Sequence, residues 1–270
     1  MLPSTADAVA ASVAVATALG LPSDRPVVVA EGYSVRVRLA PAEVLTRVVT
    51  AGRRLRGEPA PWMLRELATS TFLAASGAPV ARPWSDPGPH RGLGLDVTLW
   101  QWFETDSKPV TPHVYGRLLR SLHDALEGIK VDLPLLAGPL TDIECAIGAT
   151  DDPVLHSAAA RLLPLAMTWP RRPLHGDAHT GNLLSTPFGF LWTDFEDVCV
   201  GPVEWDLASR TIDSEFVDAY PGTIDRELLE DCRDLRCLQI LAAILVSDVQ
   251  DTPLYDELTA RLVRRQGARR

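Results

Sequence analysis

Ten residues, HGDAHTGNLL from His175 to Leu184, limit what this chain can be. They place two histidines, an aspartate and an asparagine in a loop punctuated by Gly176 and Gly181. Directly after them, LLSTPFGFLWTDF (Leu183 to Phe195) reads as a hairpin turning at Thr186 to Gly189. Asp194 stands at its end, twelve residues after Asn182. A hairpin returns the chain to its starting point, so Asp177, Asn182 and Asp194 can converge. Two chemistries suit such a loop. His175, Asp177 and His179 have an HxDxH spacing open to a metal-dependent hydrolase, although a zinc or two-metal site needs further ligands. Alternatively, Asp177 is aimed at a hydroxyl group, while Asn182 and Asp194 offer oxygen ligands to Mg²⁺ beside nucleotide phosphates.

The elements around the loop divide into two halves. VVVAEG (Val27 to Gly32), SVRVRLA (Ser34 to Ala40) and VLTRVVT (Val44 to Thr50) read as three short strands, an antiparallel meander. In the second, Val35, Val37 and Leu39 share one face, and Arg36 and Arg38 the other. A helix starts at Pro61, with Leu64, Leu67, Thr71 and Ala74 on one side, and stops at Gly77 and Pro79. Gly94 to Glu104 reads as a further strand, and the polar stretch Glu104 to Pro112 as the boundary. Residues 1–104, with a short helix before Gly20, form one domain; residues 105–270 form a second, mainly helical one. In it, helices begin at Pro112 (Val114, Leu118, Leu122 and Leu126 in register), Pro153, about Val203, Asp225 and Thr252. The fold class is α+β.

Charge and cysteine usage narrow the partners. A formal net charge of -9 disfavours nucleic acid and anionic membranes, both of which attract cations. No run of eighteen apolar residues is present to span a bilayer. The apolar stretch Ala8 to Leu19 has no basic residue before it and reads as a helix rather than a signal peptide. Cys145, Cys199, Cys232 and Cys237 have no CxxC or metal-ligand spacing, as expected of reduced thiols in the cytoplasm.

HGDxxxxN, followed by a hairpin and DFED (Asp194 to Asp197), then VEWDLA (Val203 to Ala208), resembles the aminoglycoside phosphotransferase and choline kinase group, relatives of the protein kinases. RLLRSLHDAL (Arg117 to Leu126) resembles that group's LLxxLH helix, and LWQWF (Leu99 to Phe103) falls where it has its hinge. The resemblance spans most of residues 25 to 210. It implies a protein-kinase-like two-lobe fold: a small N-terminal antiparallel sheet with a helix, and a larger, mainly helical C-terminal lobe. It also implies Mg²⁺-dependent transfer of the γ-phosphoryl group of ATP or GTP to a small-molecule hydroxyl. Asp177 would orient the acceptor; Asn182 and Asp194 would hold Mg²⁺. Asp206 would brace the loop together with His175. Leu45, Gln101, Trp102 and Phe103 would meet the base, and Gly32 and Ser34 the phosphates.

Two departures stand out. The first 107 residues contain no lysine, so Arg47 occupies the place of the group's phosphate-touching lysine, with Glu66 as its helix partner. Its guanidinium preserves the charge and can bind bidentately. The turn Glu31 to Ser34 has a single glycine, which reads either as a sparse phosphate cradle or as a plain hairpin turn. These departures point also to a kinase-shaped binding protein without turnover. His179 reads as exposed, and Glu196 and Asp197 as a solvated loop, with one of them open to a role in binding metal or substrate. From Glu204 to Asp234, ten acidic residues face three arginines, either as solvated helix faces or as a site for a cationic acceptor such as an aminoglycoside, amino sugar or amino alcohol. Trp205, Phe216 and Tyr220 read as pocket or core.

Overall fold

The alternation of Ser34 to Ala40 becomes a strand with two unlike faces in the computed structural model, which describes residues 3–50, 56–247 and 252–267. β1 (Arg25–Ala30), β2 (Ser34–Ala40) and β3 (Val44–Val49) form the meander; β4 (His90–Gly92) and β5 (Leu95–Gln101) extend it, giving the order β1-β2-β3-β5-β4. One face buries Val35, Val37, Leu39, Val44, Val48, Val97 and Leu99. Helix α1 (Thr5–Ala18) covers it with Ala8, Ala11, Val15 and Ala16. Each such Val or Leu contributes roughly 1.5–3 kcal/mol of apolar burial. Ser4 and Asp7 close a capping box at the start of α1, and Thr46, polar on an apolar face, donates to Ser12 Oγ at 2.8 Å.

The other face carries the charges. Arg36 on β2 stands directly opposite Arg47 on β3, and Arg38 opposite Leu45. Helix α2 (Ala60–Ala75) packs there through Trp62 and Met63 against Val49, and through Leu67 against Ala81 and Trp100. The buried stripe of α2 is not the expected one. Leu64 is 53% exposed, while Glu66 is buried. The helix is rotated so that this carboxylate, rather than Leu64, faces Arg47.

The chain clusters into two units, Met1–Pro109 with Leu183–Glu196, and Val110–Asn182 with Asp197–Arg270. The first includes the hairpin of β7 (Leu183–Thr186) and β8 (Gly189–Trp192). Trp192, fully buried, donates its N–H to Pro79 O and accepts from Ala81 N, both at 2.9 Å, which ties the hairpin to the segment after α2.

The second unit contains α3 (Pro112–Leu126), α4 (Ala137–Ala149), α5 (Pro153–Ala166), β6 (Arg172–Leu174), β9 (Cys199–Gly201), α6 (Val203–Asp206), α7 (Ser214–Asp218), α8 (Arg226–Val246) and α9 (Thr252–Gly267). Thr111, Asp152 and Asp225 cap α3, α5 and α8 with their side chains. The buried stripe of α3 includes Leu122 and Leu126, as expected, together with Tyr115, Leu119 and His123, while Val114 and Leu118 are only half-buried. α8 is the spine, packed by α4, α5 and α9. Four of the ten acidic residues between Glu204 and Asp234 are neither solvated nor open to a ligand: Glu204, Asp206, Asp231 and Asp234 are buried. Arg261 and Arg265 of α9 bind Asp234 at 2.9 Å, and Arg265 also binds Asp231 at 3.1 Å. Trp205 and Tyr220 are core residues. All four cysteines are free, and among the described residues no helix is long and apolar enough to cross a membrane.

Candidate active site

In the first unit, Arg47 organises the charges. Its Nε donates to Ser34 Oγ at 3.0 Å, Nη1 to Glu66 at 2.5 Å, and Nη2 to Glu196, with Asp194 Oδ1 at 3.1 Å from Nη2. One guanidinium therefore satisfies a hydroxyl and three carboxylates, a task its five forked donors suit and an ammonium does not. Burial alone would weaken the charge on Arg47; Asp194, Glu66 and Glu196 more than restore it. Burial pushes the Glu66 carboxyl up, against the pull of Arg47 and with the repulsion of Asp194 and Glu196. Glu196 does not sit in a solvated loop: Arg47 and Arg56 bind its carboxylate, and Arg65 donates to its carbonyl. Asp197 is buried as well.

Arg47 lines an open cavity with Arg36, Leu45, Glu66, Gln101, Phe103, Leu184 and Asp194. Leu45 and Phe103 pack beside Trp100 at its apolar end. Trp102 is absent from the lining. Its ring stacks against the Arg38 guanidinium at 4.4 Å, its indole N–H donates to Glu104, and its backbone N–H donates to Glu43 O. Gly32 is also outside the lining, and a Cβ added there would meet nothing within 4 Å, so no close approach requires glycine. Asp194 has φ 66°, a left-handed conformation uncommon for a residue other than glycine. Strain of this kind concentrates at functional positions.

In the second unit, Asp206 holds the loop from behind. Its Oδ2 accepts from His175 N at 2.9 Å and its Oδ1 from Gly176 N at 2.8 Å. His123 Nε2 completes the set at 2.9 Å, with its Nδ1 on the Tyr220 hydroxyl. Burial would raise the Asp206 pKa; the His123 hydrogen bond and the Gly176 N–H outweigh it and hold the carboxyl below its ordinary range. Gly176 has φ 88°, and a Cβ there would lie 1.8 Å from Asp197 O, so only glycine fits.

This bracing presents Asp177, whose side chain is 35% exposed. Arg236 Nη1 lies 3.5 Å from Asp177 Oδ1, and His179 Nε2 lies 3.5 Å from Oδ2. Burial opposes ionisation, but His179 and Arg236 hold the Asp177 carboxyl well below the usual range. Asn182 donates Nδ2 to the Asp177 carbonyl at 3.0 Å, which turns its amide oxygen away from that bond. His179 is not simply exposed: its Nδ1 accepts from Gly181 N at 3.0 Å, directing Nε2 to Asp177. His175 Nδ1 accepts from Asp177 N. One ring nitrogen of each HxDxH histidine is thus engaged within the loop. Among the described residues no three His, Cys, Asp or Glu gather as metal ligands.

Sequence reasoning passed over Arg236, His123 and Tyr115. Arg236 is buried against the Trp205 ring at 3.8 Å and donates to Gly176 O at 2.9 Å and to Gln239, which in turn binds buried Asp142. Tyr115 donates to Ala178 O at 2.7 Å. Only the histidine of LLxxLH carried a local signal; Arg236 lies 59 residues beyond Asp177 with none.

An Mg²⁺ ion takes oxygen ligands, and the Asn182 amide and the Asp194 carboxylate are such donors, one in each unit. Asp194 lines the same cavity as Arg36, Arg47 and Glu66.

The family model described as the phosphotransferase enzyme family, APH, matches residues 27–241. No curated protein matches in sequence. Among solved structures, a choline/ethanolamine kinase family protein from Mesorhizobium loti is similar at 16% identity and a TM-score of 0.65, covering 97% of this chain and 94% of that one. Choline kinase LicA from Streptococcus pneumoniae is similar at 12% identity and 0.66, covering 93% and 96%. Amicoumacin kinase hAmiN, solved with AMP-PNP, Ca²⁺ and Ami, is similar at 12% and 0.62, covering 90% and 89%. These likenesses show the α+β, protein-kinase-like fold. The extent of the family match shows more: the chain belongs to the APH phosphotransferase enzyme family, and its enzyme class is that of a small-molecule kinase.

Proposed function

We propose that the chain transfers the γ-phosphoryl group of ATP or GTP, with Mg²⁺, to a hydroxyl of a small amine-bearing molecule: an aminoglycoside-like compound, an amino sugar or an amino alcohol. The observation that carries this reading is the mounting of Asp177, on a loop pinned by Asp206 and flanked by Arg236 and His179. Phosphoryl transfer passes through a loose transition state, so the protein's work is positioning and charge stabilisation. A carboxylate held ionised can accept the acceptor's O–H hydrogen bond and aim its oxygen, and can take the proton once the bond to phosphorus is forming. Arg47, steadied by Glu66, holds the nucleotide phosphates. Leu45 and Phe103 supply the apolar wall for the base, with Gln101 beside them. Asn182 and Asp194 would hold Mg²⁺, which when bound neutralises charge on the phosphate oxygens. The acceptor class is supported by the similar proteins' names, choline and amicoumacin kinases among them. Free thiols suit a reducing cytoplasm, and the charge of -9 suits neither nucleic acid nor an anionic membrane as partner.

A second reading, a kinase-shaped binding protein without turnover, is favoured by one feature: Arg47 is fully engaged by Glu66, Asp194 and Glu196. Release of ADP or GDP over a panel of amino alcohols, amino sugars and aminoglycosides separates the two. Asp177→Asn should reduce turnover by about a hundred- to ten-thousandfold while nucleotide affinity, measured by calorimetry, is kept. Equal loss of both would sink the Asp177 assignment. Nucleotide binding without release on any acceptor would favour the second reading.

A further inference from the structure

Two guanidiniums stand directly across the β2–β3 ladder, Arg36 opposite Arg47, on the face that lines the cavity. Like charges in that relation repel, so something must hold them. Asp194 does: its Oδ2 takes Arg36 Nη2 at 2.7 Å and its Oδ1 lies 3.1 Å from Arg47 Nη2. The two arginines are otherwise unlike. Arg47 is buried and bound by Ser34, Glu66 and Glu196 as well. The Arg36 side chain is 32% exposed, and among the described residues Asp194 is its one carboxylate partner.

That asymmetry has a chemical consequence, which rests on the nucleotide reading. Asp194 is the carboxylate that would turn to Mg²⁺. When it does, Arg47 keeps its other partners, but Arg36 loses its counter-charge at the edge of the cavity. An anion arriving with the metal restores it. A guanidinium fork matches phosphate oxygens in pairs, and two forks side by side match consecutive phosphates. We propose that Arg36 is a second phosphate-holding residue, which exchanges Asp194 for a nucleoside di- or triphosphate and with Arg47 grips it as a two-arginine clamp. The clamp takes over the work of the single lysine absent from β3.

Calorimetry on the intact chain tests this, with ATP, GTP, ADP and adenosine as probes, each with and without Mg²⁺. Arg36→Ala should weaken ATP and ADP by about ten- to a hundredfold, the range of a lost charge-assisted hydrogen bond, and leave adenosine unchanged. Arg36→Lys should fall between. Unchanged ATP affinity in Arg36→Ala would overturn the clamp, leaving Arg36 as a mere neutraliser of Asp194. Tighter MgATP binding would also overturn it, by making Arg36 a plug on the metal ligand. Equal loss of adenosine and ATP would do so through collapse of the cavity, and an Arg36→Gln variant showing the same loss would settle that outcome. If the unmodified chain binds neither ATP nor GTP, the nucleotide reading itself fails and the clamp with it.

Discussion

Asp206 shows how one carboxylate can serve a site it never enters. It gathers the backbone N–H groups of His175 and Gly176 and the His123 ring, all buried. Hydrogen bonds to an ionised acceptor are worth more than neutral ones, and removing the charge leaves buried donors unpaired. Its folded-state pKa lies below the ordinary value of roughly 3.9. A depressed carboxylate contributes stability that is fully present above the unfolded pKa and is lost as pH falls through the folded one. Asp206→Asn should therefore cost about 1–3 kcal/mol at pH 7. The gap between variant and unmodified chain should narrow as pH drops below about 4. Urea unfolding at stepped pH values checks both; a gap that stays constant with pH would contradict the ionic role. Arg236 works at the same scale, linking the Trp205 ring, Gly176 O and Asp177 through one side chain.

At the scale of elements, close approach decides where side chains are allowed. α3 meets the end of α7 at Gly116, where an added Cβ would lie 2.2 Å from Ala219 O. That contact sets the spacing that lets His123 of α3 reach Tyr220 and Asp206. Gly148, on α4, has nothing within 4 Å of its missing Cβ. The same substitution should act oppositely at the two positions. Gly116→Ala should destabilise by about 1–3 kcal/mol through overpacking. Gly148→Ala should stabilise by up to about 1 kcal/mol through reduced unfolded-state entropy. Thermal unfolding of the pair is the check, and a loss at both would argue against the spacing given for α3 and α7. Helix rotation belongs to this scale too. α2 turns Glu66 inward and leaves Leu64 outside because a paired ion at Arg47 needs its partner, whereas one exposed leucine costs little.

For the whole molecule, ligand linkage is the most direct readout. A ligand at about a hundred times its dissociation constant stabilises the native state by roughly 2.7 kcal/mol. MgATP or MgGTP should raise the melting temperature, and Asp194→Ala should abolish the metal-dependent part of the rise. A rise with Zn²⁺ alone would instead favour metal chemistry at His175, Asp177 and His179.

Sequence alone determined the features that depend on neighbours along the chain. Alternation made two faces of β2, with valines and leucine toward α1 and arginines away. Caps and N-terminal prolines marked α3 and α5, and spacing made the β7–β8 hairpin. The HGDxxxxN loop and its family resemblance were equally readable. Helix α4 was not, because its first turn lacks a side-chain cap and carries Gly138 and Pro139, residues that read as loop. β6 and β9 are three residues each, and they pair across 24 intervening positions, beyond any local pattern. Only the tertiary structure turned Glu196 inward to Arg47 and Arg56, buried Asp231 and Asp234 under α9, and brought Arg236 to Asp177. Charged residues read as solvent-facing until a distant partner of opposite sign is known. That partner is fixed by packing of the whole unit, because a buried charge persists only where folding has already delivered its counter-charge.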